Sequence, residues 1–110
     1  MASHEDFVIY TVEQMEKAGD IYFRKMFGEY GIYCDGLFFA VVCEDQLFVK
    51  ITSGGESMFP GLPRIPPYKG ARDYFLVEDI EDRQMLKELV CITCKELAKM
   101  KGKNDHAFGL

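Results

Sequence analysis

The sequence predicts an α+β fold in two layers: an antiparallel sheet of about five strands with a helix before it and a helix after it, ordered α-β(4)-loop-β-α. Three observations carry this reading. Apolar residues recur at helical spacing only near the two ends of the chain, the middle consists of short aromatic and β-branched runs, and Asp35-Gly36 stands between two of those runs as a hairpin signal. With 110 residues, 9 of them Phe and 6 Tyr, the chain has room for one domain with a real core. That domain is expected over residues 1–102, with 103–110 as a flexible tail.

The first helix is expected to start at Ser3 as N-cap, with acidic Asp6 three residues on. Phe7, Val8, Thr11, Val12, Met15 and Ala18 form its apolar side, and Gly19 ends it. Strands are expected at 21–27, 30–34, 37–43 and 46–51. Residues 52–69 hold Ser53-Gly54-Gly55 and all four prolines, which suits a surface loop with one short helical turn, serving as a lid or interface arm. A last strand over 72–77 and a helix from Asp82 to about Met100 complete the chain, the helix presenting Leu86, Leu89, Val90, Thr93 and Leu97.

A two-residue turn at Asp35-Gly36 sets Cys34 opposite Leu37, Tyr33 opposite Phe38 and Ile32 opposite Phe39. A second at Glu44-Asp45 sets Val42 opposite Leu47 and Ala40 opposite Val49. Strict alternation then assigns Tyr33, Phe38, Ala40, Val42, Leu47, Val49 and Ile51 to the core face, where Gly31 and Ala40 let a helix approach. The other face carries Tyr30, Ile32, Cys34, Leu37, Phe39, Val41, Cys43 and Phe48, interrupted by Lys50, and is too apolar to face water. The 52–69 segment, a partner subunit or both are expected to cover it. Ile32, Leu37, Val41, Phe48 and Lys50 are therefore the candidate interface, and a homodimer or protein complex the expected assembly.

Thirteen Lys plus Arg against 18 Asp plus Glu leave a net charge of -5, so direct nucleic-acid binding is not expected. The longest apolar run, 37–43, is far too short for a membrane span, and the first residues lack the basic and apolar regions of a secretory signal. A cytoplasmic location is expected, with the four cysteines reduced. Cys91-Ile92-Thr93-Cys94 falls mid-helix, away from the N-terminal position that activates a thiol. Cys34 and Cys43, separated by about 20 Å of strand, cannot complete a zinc site with it. His4 and His106 have no nucleophile arrangement around them, so no catalytic residue, metal or cofactor is assigned. The alternative class is a small-molecule-binding or enzymatic domain with the 52–69 loop as lid, gathering Lys50, Arg64, Lys69, Arg72 and Asp73 beneath it.

The run Arg24-Lys25-Met26-Phe27-Gly28-Glu29-Tyr30-Gly31-Ile32-Tyr33-Cys34-Asp35-Gly36, followed by Phe39 and Leu47-Phe48-Val49-Lys50, resembles the N-terminal domain of the TfoX/Sxy competence-regulator family. The resemblance runs from Phe7 through Lys69 and Tyr74 into the last helix, and departs at Glu29, where a glycine is common, and at Glu44-Asp45-Gln46, where an Asp-Gly turn is common. It implies the N-terminal domain only, an α+β fold, and a non-enzymatic part in switching on DNA-uptake genes, with cyclic-AMP receptor protein or RNA polymerase as partner. Within the motif, Gly28 and Gly31 are expected to permit a turn or bulge, Asp35-Gly36 to make the hairpin, and Met26, Phe27, Tyr33 and Phe39 to pack. Arg24 and Lys50 are expected to meet a partner carboxylate, with snorkelling as the structural alternative for Lys50.

Overall fold

The computed structural model describes residues 2–107, so the last three residues of the expected tail lie outside the described residues. Helix α1 (Glu5–Gln14) and a 3-10 turn (Glu16–Ala18) lead into strands β1 (Ile21–Met26), β2 (Glu29–Cys34), β3 (Leu37–Cys43) and β4 (Gln46–Val49). Then come α2 (Ser53–Met58), β5 (Arg64–Ile65), β6 (Tyr74–Val77) and α3 (Arg83–Ala107). The strands form one six-stranded sheet in the order β1-β2-β3-β4-β6-β5, with every neighbouring pair antiparallel. The α+β class and the flanking helices stand as expected, with β5 as an additional strand.

Ser3 does not cap α1: His4 is the N-cap and makes no side-chain cap bond. Ser3 instead ties the N-terminus to two hairpin tips, its N–H donating to Glu29 Oε1 at 2.9 Å and its hydroxyl accepting from the Asp45 N–H at 2.9 Å. Asp82 does cap α3, accepting from the Met85 N–H at 3.1 Å, and the helix runs past its expected end near Met100 to Ala107. The expected 52–69 loop is more structured than one helical turn. Thr52 Oγ1 accepts from the Gly55 N–H at 3.1 Å, and Glu96 of α3 accepts from Ser53 Oγ and the Gly54 N–H, holding a Gly-Gly sequence helical against its low propensity.

The hairpin pairing begins as expected, with Cys34 opposite Leu37 and Tyr33 opposite Phe38. The register then shifts, so that Ile32 faces Ala40 and Phe39 is the extra residue of a β-bulge. Phe39 and Ala40 consequently both point into the core and are fully buried. This bulge inverts the facial assignment on β2 and on residues 37–39 of β3. Tyr30, Ile32 and Cys34 join Ala40, Val42, Leu47, Val49, Phe75 and Val77 on the inner face, beneath Val8 of α1 and Leu86, Leu89 and Val90 of α3. Tyr33 and Phe38 move to the outer face, where Tyr33 stacks on Tyr22 at 5.2 Å and contacts Phe38 at 5.5 Å. Gly31 makes room there for Met26 and Phe38 and not for a helix: a Cβ at Gly31 would lie 2.8 Å from Met26 Cε and 3.0 Å from Phe38.

Candidate functional site

The outer face carries a second, smaller apolar cluster of Val41, Cys43, Phe48 and Leu76, edged by Phe38 and Tyr74. The single chain already closes these residues off: Phe48 is 2% exposed and Val41 6%. Of the candidate interface residues, Val41 and Phe48 are thus on the expected face but buried, Ile32 lies in the main core, and Leu37 packs against that core, partly buried. Lys50 is half-buried with its Nζ 4.5 Å from the centre of the Phe38 ring, so it covers apolar surface with its stem and rests its cation on an aromatic face. Burial, and the nearby Arg72, push its pKa below the usual lysine value. Arg24 lies 5.7 Å and 5.6 Å from the Tyr22 and Tyr33 ring centres, an exposed guanidinium spread over a tyrosine stack.

Beside this cluster runs a groove of about 910 Å³. Its floor is Phe38, Val41 and Cys43 of β3; the β1–β2 turn forms one wall and residues 67–69, with Tyr74, the other. The size is within the roughly 300–1,000 Å³ of ordinary binding pockets. Each wall is built by its own turn. On the arm, the Ala71 N–H donates to the Tyr68 carbonyl at 3.1 Å and Gly70 takes φ +91, a conformation open to glycine. That turn leaves Tyr68 61% exposed beside Lys69.

On the opposite wall, Met26 pairs with Glu29, leaving Phe27-Gly28 as a two-residue turn with φ +50 and +80. Phe27 does not pack, as its place in the motif led us to expect; it is wholly exposed, at 102%. A bulky aromatic at positive φ is a backbone outlier, and such strain clusters at working sites. Alternation placed Phe27 inside the first strand and hid it. The signal that would have found it is the aromatic-Gly pair between two runs of strand character. At the same end, Glu29 Oε2 accepts from the Glu44 N–H at 2.8 Å, so that two acidic residues line this wall while Lys69 lines the other. Burial, with Glu29 and Glu44 nearby, raises the Cys43 thiol to about 11, leaving it a protonated apolar part of the floor at neutral pH.

The structure does not gather Lys50, Arg64, Lys69, Arg72 and Asp73 into one cluster, although Arg72 lies near Lys50. Only Lys69 lines the groove, while Arg64 pairs with Glu56 at 2.7 Å and lies 5.8 Å from the Phe75 ring centre. The Cys91-x-x-Cys94 pair splits across the helix surface, Cys91 exposed and Cys94 buried close to Cys34, and desolvation raises the Cys94 and Cys34 thiols. Among the described residues no group of three or more His, Cys, Asp or Glu is placed to hold a metal, and no helix is long and apolar enough to cross a membrane.

The chain matches the family model of the TfoX N-terminal domain over residues 13–96. It is also 28% identical over 98 residues to a protein of Spirochaeta aurantia described as an uncharacterized 12.7 kDa protein in the trpE 5' region, a match covering 88% of this chain and 85% of that protein.

Proposed function

The chain belongs to the TfoX N-terminal domain family, and from that membership we propose that it is a non-enzymatic protein-interaction domain serving the transcription of DNA-uptake genes in the cytoplasm. Its working surface is the outer-face groove and the two turns that wall it. The carrying observation is Phe27, a fully exposed aromatic held at positive φ on the lip of an apolar groove. An exposed aromatic next to an apolar concavity is the composition of a protein-binding hot spot, where one or two anchors supply most of the affinity. Family membership supports cyclic-AMP receptor protein or RNA polymerase as the partner.

The groove volume favours one other reading, a small-molecule site. Such sites fix their ligand with convergent polar groups, and here a single lysine faces two glutamates across an apolar floor, an arrangement better suited to a protein surface. The test is direct binding of the purified chain to purified cyclic-AMP receptor protein and to RNA polymerase. A micromolar or tighter complex with one of them is expected; no binding to either at about 100 μM overturns the proposed partners.

A further inference from the structure

The two walls of the groove are complementary to each other. The β1–β2 wall carries the projecting Phe27 and the acidic Glu29 and Glu44; the arm wall carries the exposed Tyr68 and the basic Lys69. An isologous pair uses the same patch on both copies, so features on opposite sides of the two-fold axis are brought together. With the axis running along the groove, the β1–β2 wall of one copy meets the arm wall of the other, twice.

We propose, on the reading that the groove is an interaction surface, that its occupant is a second copy of this chain: each Phe27 packs against the partner copy's Tyr68 turn, and each Lys69 faces the partner copy's acidic wall. Charge complementarity favours this occupant over a generic apolar segment, because both signs needed for the contact are already present on one patch and are exchanged by the symmetry. Phe27 supplies the second argument. Asn would suit its turn better than an aromatic does, since Asn adopts positive φ readily and a phenylalanine does not. The turn therefore gives up local preference to project an aromatic ring into solvent, and a reciprocal pair of such rings provides two central anchors of the kind that dominate interfaces.

Sedimentation velocity across a micromolar concentration series tests this, with Phe27→Asn as the main variant because it keeps or improves the turn while removing the ring. The wild-type chain is expected to pass from monomer to dimer. Phe27→Asn removes both rings of the symmetric contact and should raise the dimer dissociation constant about 1,000-fold, the loss that accompanies two aromatic hot spots, with no fall in melting temperature at concentrations where both chains are monomeric. Lys69→Glu, which sets like charges against each other, should weaken the dimer several-fold and more at low salt than at high salt. A wild-type chain that stays monomeric at about 100 μM, or a Phe27→Asn variant that dimerises as tightly as wild type, overturns self-association. If the monomer nevertheless binds purified cyclic-AMP receptor protein or RNA polymerase through Phe27, the interaction reading survives while the second copy is excluded; if it binds neither, both fall.

Discussion

Two hairpins that share a strand use nearly the same turn for opposite ends. The β2–β3 turn, Asp35-Gly36, has φ +50 and +85; the β1–β2 turn, Phe27-Gly28, has φ +50 and +80. In the first, the side chain suits the backbone and works for the fold, since Asp35 Oδ1 accepts from the Asp20 N–H at 2.9 Å. One phenylalanine of that hairpin, Phe39, is fully buried at the bulge. In the second, the aromatic occupies the turn itself and is fully exposed. The contrast teaches that a phenylalanine within a hairpin signals core or surface according to its offset from the glycine, not its hydrophobicity.

The widest separation between the two hairpins should come from truncating these phenylalanines. Phe39→Ala empties a sealed site in the inner core and should lower unfolding free energy by about 3–5 kcal/mol, whereas Phe27→Ala should change it by about 0.5 kcal/mol or less. Urea unfolding at low micromolar concentration measures both. A cost at Phe27 approaching that at Phe39 would mean that Phe27 packs within the single chain.

The glycines should behave alike where the phenylalanines differ. A Cβ built on Gly28 or Gly36 meets nothing within 4 Å, so substitution by alanine is opposed by the positive φ alone. Gly28→Ala and Gly36→Ala should each destabilise by about 1–2 kcal/mol, and by the same amount within error. A marked inequality would show that one turn relaxes to another conformation.

Smaller still is the effect of exchanging turn side chains. Asp35→Ala loses the acceptor for the Asp20 N–H and should cost about 1 kcal/mol, while Phe27→Asn should stabilise the monomer by about 0.5 kcal/mol. Thermal melts of the two variants should therefore move in opposite directions from wild type.

This pair of turns also shows how far the sequence could be read. Asp35-Gly36 was legible because turn type dictates its residues, and with it came the first two cross-strand pairs and the course of β3. The bulge at Phe39 was not legible, because an inserted residue leaves no local mark in a run as uniformly apolar as 37–43, and one missed insertion exchanged the faces of β2. For the same reason strict alternation puts Val41 and Phe48 on the correct side and Ile32 and Leu37 on the wrong one. Strand β5 is only two residues long and is fixed by its pairing with β6, which local pattern does not contain. The groove required knowing that residues 67–69 fold back opposite the β1–β2 turn, a long-range fact.

A third turn, Glu44-Asp45, takes φ +51 and +56 without any glycine and tests whether a strained turn can be held from outside. Asp45 accepts from the His4 N–H at 2.8 Å and lies 2.7 Å from His4 Nδ1, while its own N–H donates to Ser3. The hydrogen bond and the charge of Asp45 raise the His4 pKa above its usual value, and His4 in turn lowers that of Asp45. A raised histidine pKa contributes stability fully below the unfolded value near 6.5 and loses it as pH rises through the folded value. A lowered carboxyl contributes above its unfolded value near 3.8 and loses it as pH falls through the folded one. The clamp is thus strongest from about pH 4 to 6.5. Both groups are exposed, so the global effect is small, and the readout is local: NMR should give a His4 titration midpoint above the usual histidine value that returns towards it in Asp45→Asn. Hydrogen exchange at Asp45 and Gln46 should quicken as pH rises past that midpoint by more than base catalysis explains, while exchange at the Asp35-Gly36 turn follows base catalysis alone.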